Sequence, residues 1–224
     1  MERLPPVQVA YLLFFDGGSR GNPGPGGSGS IILQVDVDMG RAAIVWVASM
    51  SYSHFTTTNN MAEYCGLLHG LRYAHDHQCQ PLHVVGDSSM IIRQQTLHVP
   101  PKKARLALLY HKTKRYANAM RISSWAHHFR AYNKMADMAT NYAMDRVMSS
   151  QYPFPTTRAE GDKIQQYMEN DVGHWFNMAH GQQRASWLDK HAATGNMRNF
   201  LISRFGETPA APGRRTTSET KSPR

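Results

Sequence analysis

The sequence predicts an α/β sandwich built on a mixed sheet, followed by a helical appendage. Strand-length apolar runs come first, up to Met50; hydrophobic spacing switches to steps of three and four at Asn60; short apolar runs and helical patterns then alternate as far as Met148. The resulting order, βββαβα(α)βα, is that of a sheet covered by helices.

Gln8 to Phe15 is the first expected strand, an apolar run ending at Asp16 and broken by the glycine- and proline-rich GGSRGNPGPGG. Gly29 to Val35 follows as its antiparallel neighbour, VDVDMGR as a turn, and Ala42 to Met50 as the third strand of a meander. Met61, Tyr64, Cys65, Leu68, Leu71 and Ala74 then recur at helical spacing, giving a helix from Asn60 to about His77 with Thr58 or Asn59 as cap and Glu63 in its first turn. His83 to Gly86 is a short buried strand ending at Asp87, with a helix from Ser88 to Gln95. The prolines of HVPPKK interrupt before a basic helix from Lys102 to Ala119. Arg121 to Ala126 is the last strand, and a helix from about Tyr132 to Met148 carries Asp137 near its start.

Beyond Ser149 the pattern changes. Tyr152 to Pro155 reads as an extended break, and Ile164, Tyr167, Met168, Val172, Trp175 and Phe176 return to helical period. Further helical pieces are expected around Ala185 to His191 and Met197 to Phe205, and the polar, basic run from Glu207 is expected to be disordered. The expected division is a first α/β domain over 1–149, a helical extension over 150–206 and a tail over 207–224.

Composition narrows the class. Two cysteines in 224 residues are too few for a secreted disulfide framework, no apolar run reaches membrane-spanning length, and the N-terminus lacks the apolar core of a signal peptide. An intracellular protein, cytoplasmic or nuclear, with no membrane partner is expected. The net charge of +9 favours a polyanionic partner, because each neutralised phosphate releases counterions.

Four acids stand out by their settings: Asp16 after YLLFF, Glu63 in TTNNMAEYCGLLHGL, Asp87 in HVVGDSSMIIRQ and Asp137 in WAHHFRAYNKMADMATNYAMD. A single acid at a strand end or helix start is commonly a turn or cap residue. Four carboxylates without a matching Cys and His set suit hard, oxygen-preferring divalent cations such as magnesium or manganese. His75, Asp76, His77 and Cys79 do not make a zinc set, since neighbours at one helix end cannot surround an ion.

In order, type and context these segments resemble the type 1 ribonuclease H family, in the version found in compact microbial enzymes and retroelement polyproteins. The likeness covers about the first two thirds of the chain. It implies a ribonuclease H-like five-stranded sheet with the acids clustered, and an endonuclease hydrolysing the RNA strand of RNA/DNA hybrids. Two Mg2+ ions per site, or Mn2+, would lie about 4 Å apart, leaving 5′-phosphate and 3′-hydroxyl ends. Asp16 would bridge both ions, Glu63 and Asp87 would complete one site, and Asp137 would hold the ion beside the attacking water.

The resemblance also implies substrate contacts. Asn22, Asn59 and Asn60 match positions that meet the minor groove, where the 2′-hydroxyl separates RNA from DNA. Asn133 matches a family asparagine, counted here with the substrate-binding group and able to order its segment. His127, favoured over His128 by its distance from Asp137, matches a histidine that assists proton transfer or product departure in a flexible segment. The family often has a proline at Phe129, a glutamate at Ala131 and a glutamine at Ser89, and the short link from Gln95 to Lys102 leaves no room for a basic handle. Two other functions compete: a hybrid-binding module whose nuclease site has decayed, and a DNA-acting nuclease or integrase of the same fold.

Overall fold

The structure, a computed structural model, describes residues 9–38, 40–155 and 159–179. Three long strands, β1 (Val9–Ser19), β2 (Gly26–Asp36) and β3 (Arg41–Tyr52), form the meander. Helix α1 (Asn59–Asp76) leads to β4 (Leu82–Gly86), then α2 (Ser89–Leu97), α3 (Ala104–Met120), β5 (Ser124–His127), a single 3₁₀ turn (Arg130–Tyr132) and α4 (Lys134–Arg146). Strand β6 (Ser150–Pro153) and helices α5 (Ala159–Gln165) and α6 (Met168–Ala179) follow.

The sheet has six strands in the order β5-β4-β1-β2-β3-β6, one more than the expected five. β4 runs parallel to both β1 and β5, and the other pairings are antiparallel, so the sheet is mixed as expected. The additional strand is β6, whose Tyr152 pairs with Val47 and whose Pro153 pairs with Trp46. Proline is tolerated there because β6 is an edge strand.

Central β1 is buried on both faces, which is why its sequence is continuously apolar rather than alternating. Leu13 and Phe15 pack with Tyr64, Leu67 and Leu71 of α1 and Tyr110 of α3, whereas Leu12 and Phe14 pack with Met135, Ala136 and Ala139 of α4. Each fully buried leucine, phenylalanine or methionine among these contributes about 2 kcal/mol from its apolar area. The second core also contains Tyr152, Ile164, Met168, Val172 and Trp175, so β6, α5 and α6 pack into the same structure as the preceding domain. The expected helices around 185–191 and 197–205, and the tail from 207, lie outside the described residues.

β1 runs four residues further than the apolar pattern indicates. Gly17, Gly18 and Ser19 pair with Ser28, Gly27 and Gly26, so part of the expected glycine loop is ladder. Small residues are needed there for a packing reason. A Cβ on Gly17 would stand 2.2 Å from the backbone of Ala62 and Glu63, and one on Gly29 would stand 2.3 Å from the carbonyl oxygen of Ala136. Bare backbone thus lets α1 and α4 close on opposite faces of the β1–β2 ribbon.

Candidate metal centre

Strand register places the first two acids side by side. Phe15 of β1 pairs with Gly86 of β4, and each is followed at once by its acid, Asp16 and Asp87. The two acids therefore stand side by side at the C-terminal end of β4, Asp16 still within β1 and Asp87 just past β4, a usual position for sites beside parallel strands.

Glu63 reaches them from α1, which Gly17 allows to lie against β1. Thr58 caps this helix, its hydroxyl accepting from the Met61 N–H at 3.3 Å. Glu63 lies beyond the first turn rather than within it, because the helix starts at Asn59. Its Oε2 is buried and has no hydrogen-bond partner among the described residues.

Asp16, Glu63 and Asp87 each offer an oxygen, and these oxygens all lie within 4.8 Å of one another. Asp16 is only 8% exposed. Burial, with the nearby Asp87 carboxylate next in weight, pushes the Asp16 carboxyl up to about 6 against the opposing bond from the Gly17 backbone. Burial likewise pushes Glu63 up to about 7, opposed by a hydrogen bond from Ser88 and reinforced by Asp16 and Asp87. Asp87 is raised for the same first reason. Three crowded carboxyls that resist ionisation, one with an unpartnered oxygen, form an oxygen-rich set short of positive charge and are placed to bind a hard metal cation.

Asp137 faces this triad without belonging to it. It lies in the first turn of α4, close enough for its charge to raise both Asp16 and Asp87. Its own oxygens are engaged by Arg130 Nη2 at 2.5 Å and Lys134 Nζ at 3.7 Å. Burial opposes the charged form of Arg130, yet its pKa is raised, first by the hydrogen bond to Asp137 and also by Asp16 and Asp87. The site thus carries a resident cation at its Asp137 side.

The two histidines have different settings. His127 ends strand β5, pairing with Gly86, instead of sitting in a flexible segment; its ring is exposed and its Nε2 lies 3.2 Å from the carbonyl oxygen of Asp87. His128 is 1% exposed, edge-on to Phe14, and burial lowers its pKa to about 4. A neutral, enclosed ring cannot exchange protons with a substrate, so His128 is a core residue.

Asn133 is fully buried and presents no surface to a substrate, which corrects its grouping with the substrate contacts. Its amide donates to the Phe15 carbonyl at 2.9 Å and to Asp87 Oδ1 at 3.3 Å, so it ties the segment before α4 to both acid-bearing strands.

The other three candidate asparagines, Asn22, Asn59 and Asn60, are exposed. Asn22, at φ 28, accepts from the Asn59 N–H at 3.1 Å, and Asn59 Oδ1 accepts from the Ser19 N–H at 2.8 Å and hydroxyl at 2.9 Å. Asparagine is among the few residues that adopt a positive φ readily. These bonds tie the β1–β2 loop to the start of α1. Asn60 stands apart, with its amide 3.8 Å from the sulfur of Met90.

Sequence reasoning missed Arg130, Lys134, Ser88 and Asp171. Lys134 carried a usable signal, standing three residues before Asp137 on an expected helix. Ser88 occupies the N-cap of α2 without a side-chain capping bond, and its hydroxyl serves Glu63 instead. Asp171, in α6, accepts from the Met135 N–H at the start of α4 at 2.8 Å, a tertiary contact with no local signature.

A family model described as reverse transcriptase-like matches residues 14–143, a span that contains all four acids. The bifunctional protein Rv2228c of Mycobacterium tuberculosis is 33% identical over 135 residues, 60% of this chain and 35% of that protein. The present chain thus spans about a third of that relative's length. The structure of its N-terminal RNase H domain, solved as a fusion with maltose-binding protein, superposes with a TM-score of 0.54 at 31% identity, covering 62% of this chain and 96% of that one. Ribonuclease HI of Halobacterium salinarum is 30% identical over 132 residues, 59% of this chain and 63% of that protein. LC11-RNase H1, crystallised with an RNA/DNA hybrid, gives a TM-score of 0.53 at 27% identity over 61% of this chain and 98% of that chain. With a matched span that runs from within β1 to within α4 and carries the clustered acids, this chain belongs to the reverse transcriptase-like family of ribonuclease H-type domains.

Proposed function

We propose that the chain is a ribonuclease H, an endonuclease that hydrolyses the RNA strand of RNA/DNA hybrids with divalent metal, leaving 5′-phosphate and 3′-hydroxyl ends. The convergence of Asp16, Glu63 and Asp87 oxygens within 4.8 Å carries this reading. Asp16, Glu63 and Asp87 would hold one ion, and Asp16 with Asp137 a second. Bound Mg2+ would supply charge neutralisation at the scissile phosphate and a lowered pKa for the attacking water.

The chain's own groups supply the remainder. Asn133 fixes Asp87 against β1 through its two amide bonds. His127, exposed beside Asp87, can hand a proton to the departing strand or help it leave. Asn22 and Asn59, already held together at the β1–β2 loop, would present their free polar atoms to the ribose 2′-hydroxyl, with Asn60 beside them. The hybrid bound by LC11-RNase H1 supports that choice of substrate.

The test is cleavage of four duplexes labelled on one strand each: hybrid labelled on RNA, hybrid labelled on DNA, duplex DNA and duplex RNA. Cutting confined to the RNA of the hybrid, abolished by EDTA, is expected. Tight hybrid binding without product would make the protein a binding module, and equal cutting of duplex DNA would make it a DNA-acting nuclease.

A further inference from the structure

Helix α6 lies beyond the span matched by the family model, yet it touches the segment that carries Asp137. The first N–H groups of a helix need acceptors from outside it. At the start of α4 the cap position belongs to Asn133, whose side chain makes no capping bond: its amide nitrogen donates to Phe15 and Asp87, and its Oδ1 is buried with no partner among the described residues. The missing acceptor comes from α6. Asp171, fully buried, takes the Met135 N–H at 2.8 Å and is bonded by the Lys134 backbone as well. Asn170 donates to Asp171 Oδ1 at 2.9 Å and to the Ala131 carbonyl at 2.8 Å, joining the 3₁₀ turn to the same carboxylate. His174 stacks flat on Tyr132 with ring centroids 3.8 Å apart.

We propose that Asp171 is a positioning residue for the metal centre: it caps α4 in place of Asn133, leaving Asn133 to hold Asp87, so that Asp137 and Asp87 keep their spacing across the site. The role rests on the hydrolase reading above. A buried carboxylate that receives two backbone N–H groups fixes the helix start in position and direction, and Asp137 lies in that same turn. The extension therefore acts on the reaction through the geometry of α4 and not through contact with substrate.

The experiment uses the full chain in five forms: wild type, Asp171→Ala, Asp171→Asn, Asp171→Glu and Ile164→Ala. The last removes buried apolar contact from the same extension but no bond to α4. Each form is measured for melting temperature, for calorimetric Mn2+ affinity, and for kcat and KM on a labelled hybrid well below its melting point. Asp171→Ala is expected to lose about tenfold or more in kcat and in Mn2+ affinity with KM nearly unchanged. Asp171→Asn, which retains an acceptor, should recover most of both, and Ile164→Ala should lower the melting temperature with kcat intact. Should Asp171→Ala not fold, Asp171→Glu decides, since its displaced carboxylate should give the same split. Wild-type kcat and Mn2+ affinity in the folded variant, or losses no larger than those of Ile164→Ala, would overturn the role. A wild-type chain that neither binds Mn2+ nor cuts hybrid would overturn the hydrolase reading itself, and this role with it.

Discussion

Replacing Asp16 by asparagine should stabilise the metal-free fold while abolishing cleavage. The folded carboxyl titrates near 6 against an ordinary 3.8, chiefly because it is buried and secondarily because Asp87 is close. Keeping it ionised above pH 7 therefore costs about 3 kcal/mol. Asparagine removes the charge and keeps an acceptor for the Gly17 N–H. Its own buried amide returns part of the gain, leaving roughly 1–2 kcal/mol, or about 2–8 °C in Tm for a chain of this size. The sign over pH follows from linkage. The folded state binds the proton more tightly than the unfolded state, so wild-type stability rises as pH falls from about 6 to about 4, and the variant's advantage disappears over that window. Scanning calorimetry in EDTA at about pH 7.5 and about pH 4.5 reads both quantities, and added Mg2+ should raise the wild-type Tm far more than the variant's. If the variant melts no higher than wild type at about pH 7.5 without metal, burial and the neighbouring Asp87 do not penalise the Asp16 charge as described.

The remaining predictions concern packing and proton transfer. Gly17→Ala places a Cβ 2.2 Å from the Ala62 and Glu63 backbones, neither of which can yield like a flexible side chain. A stability loss of roughly 2–3 kcal/mol in urea titration and a fall in kcat are expected; a variant with wild-type stability would contradict the close approach of α1. His127→Ala should lower kcat about tenfold or more at unchanged Tm, because the ring is exposed beside Asp87. His128→Ala should instead lower stability by about 2 kcal/mol, because its ring is enclosed. A larger catalytic loss for His128→Ala at unchanged Tm would exchange the two assignments.

Much of this organisation was legible in the residues themselves. The unbroken YLLFF run fits a strand buried on both faces, and the spacing of Met61, Tyr64, Leu71 and Ala74 fits a helix lying on a sheet, although Leu67 packs in the core and the expected Leu68 is half-buried. Asp16 and Asp87 could be placed because each follows a short apolar strand, and parallel pairing makes them neighbours. Errors collected where tertiary contact overrides local punctuation. Gly17 to Ser19 look like loop but continue the ladder, since the chain needs bare backbone where α1 packs. Tyr152 and Pro153 look like a break but pair with β3, since an edge strand has one side free of the ladder. Asn133, grouped with the substrate contacts by its match to a family asparagine, is buried, and its amide is turned inward to Phe15 and Asp87. Asp171 shares the polar first turn of α6 with Glu169 and Asn170, and only the docking of α6 on α4 brings it the Met135 N–H.

The most direct measurement is anomalous diffraction at the manganese edge from crystals of the Asp16→Asn and wild-type chains grown with Mn2+ and a short RNA/DNA hybrid. Wild-type peaks are expected bounded by Asp16, Glu63 and Asp87 and between Asp16 and Asp137, with the RNA backbone cut beside them, and the variant should show weakened peaks beside an uncut RNA strand. Manganese bound elsewhere, or a hybrid whose RNA backbone lies away from these carboxylates, would contradict this arrangement.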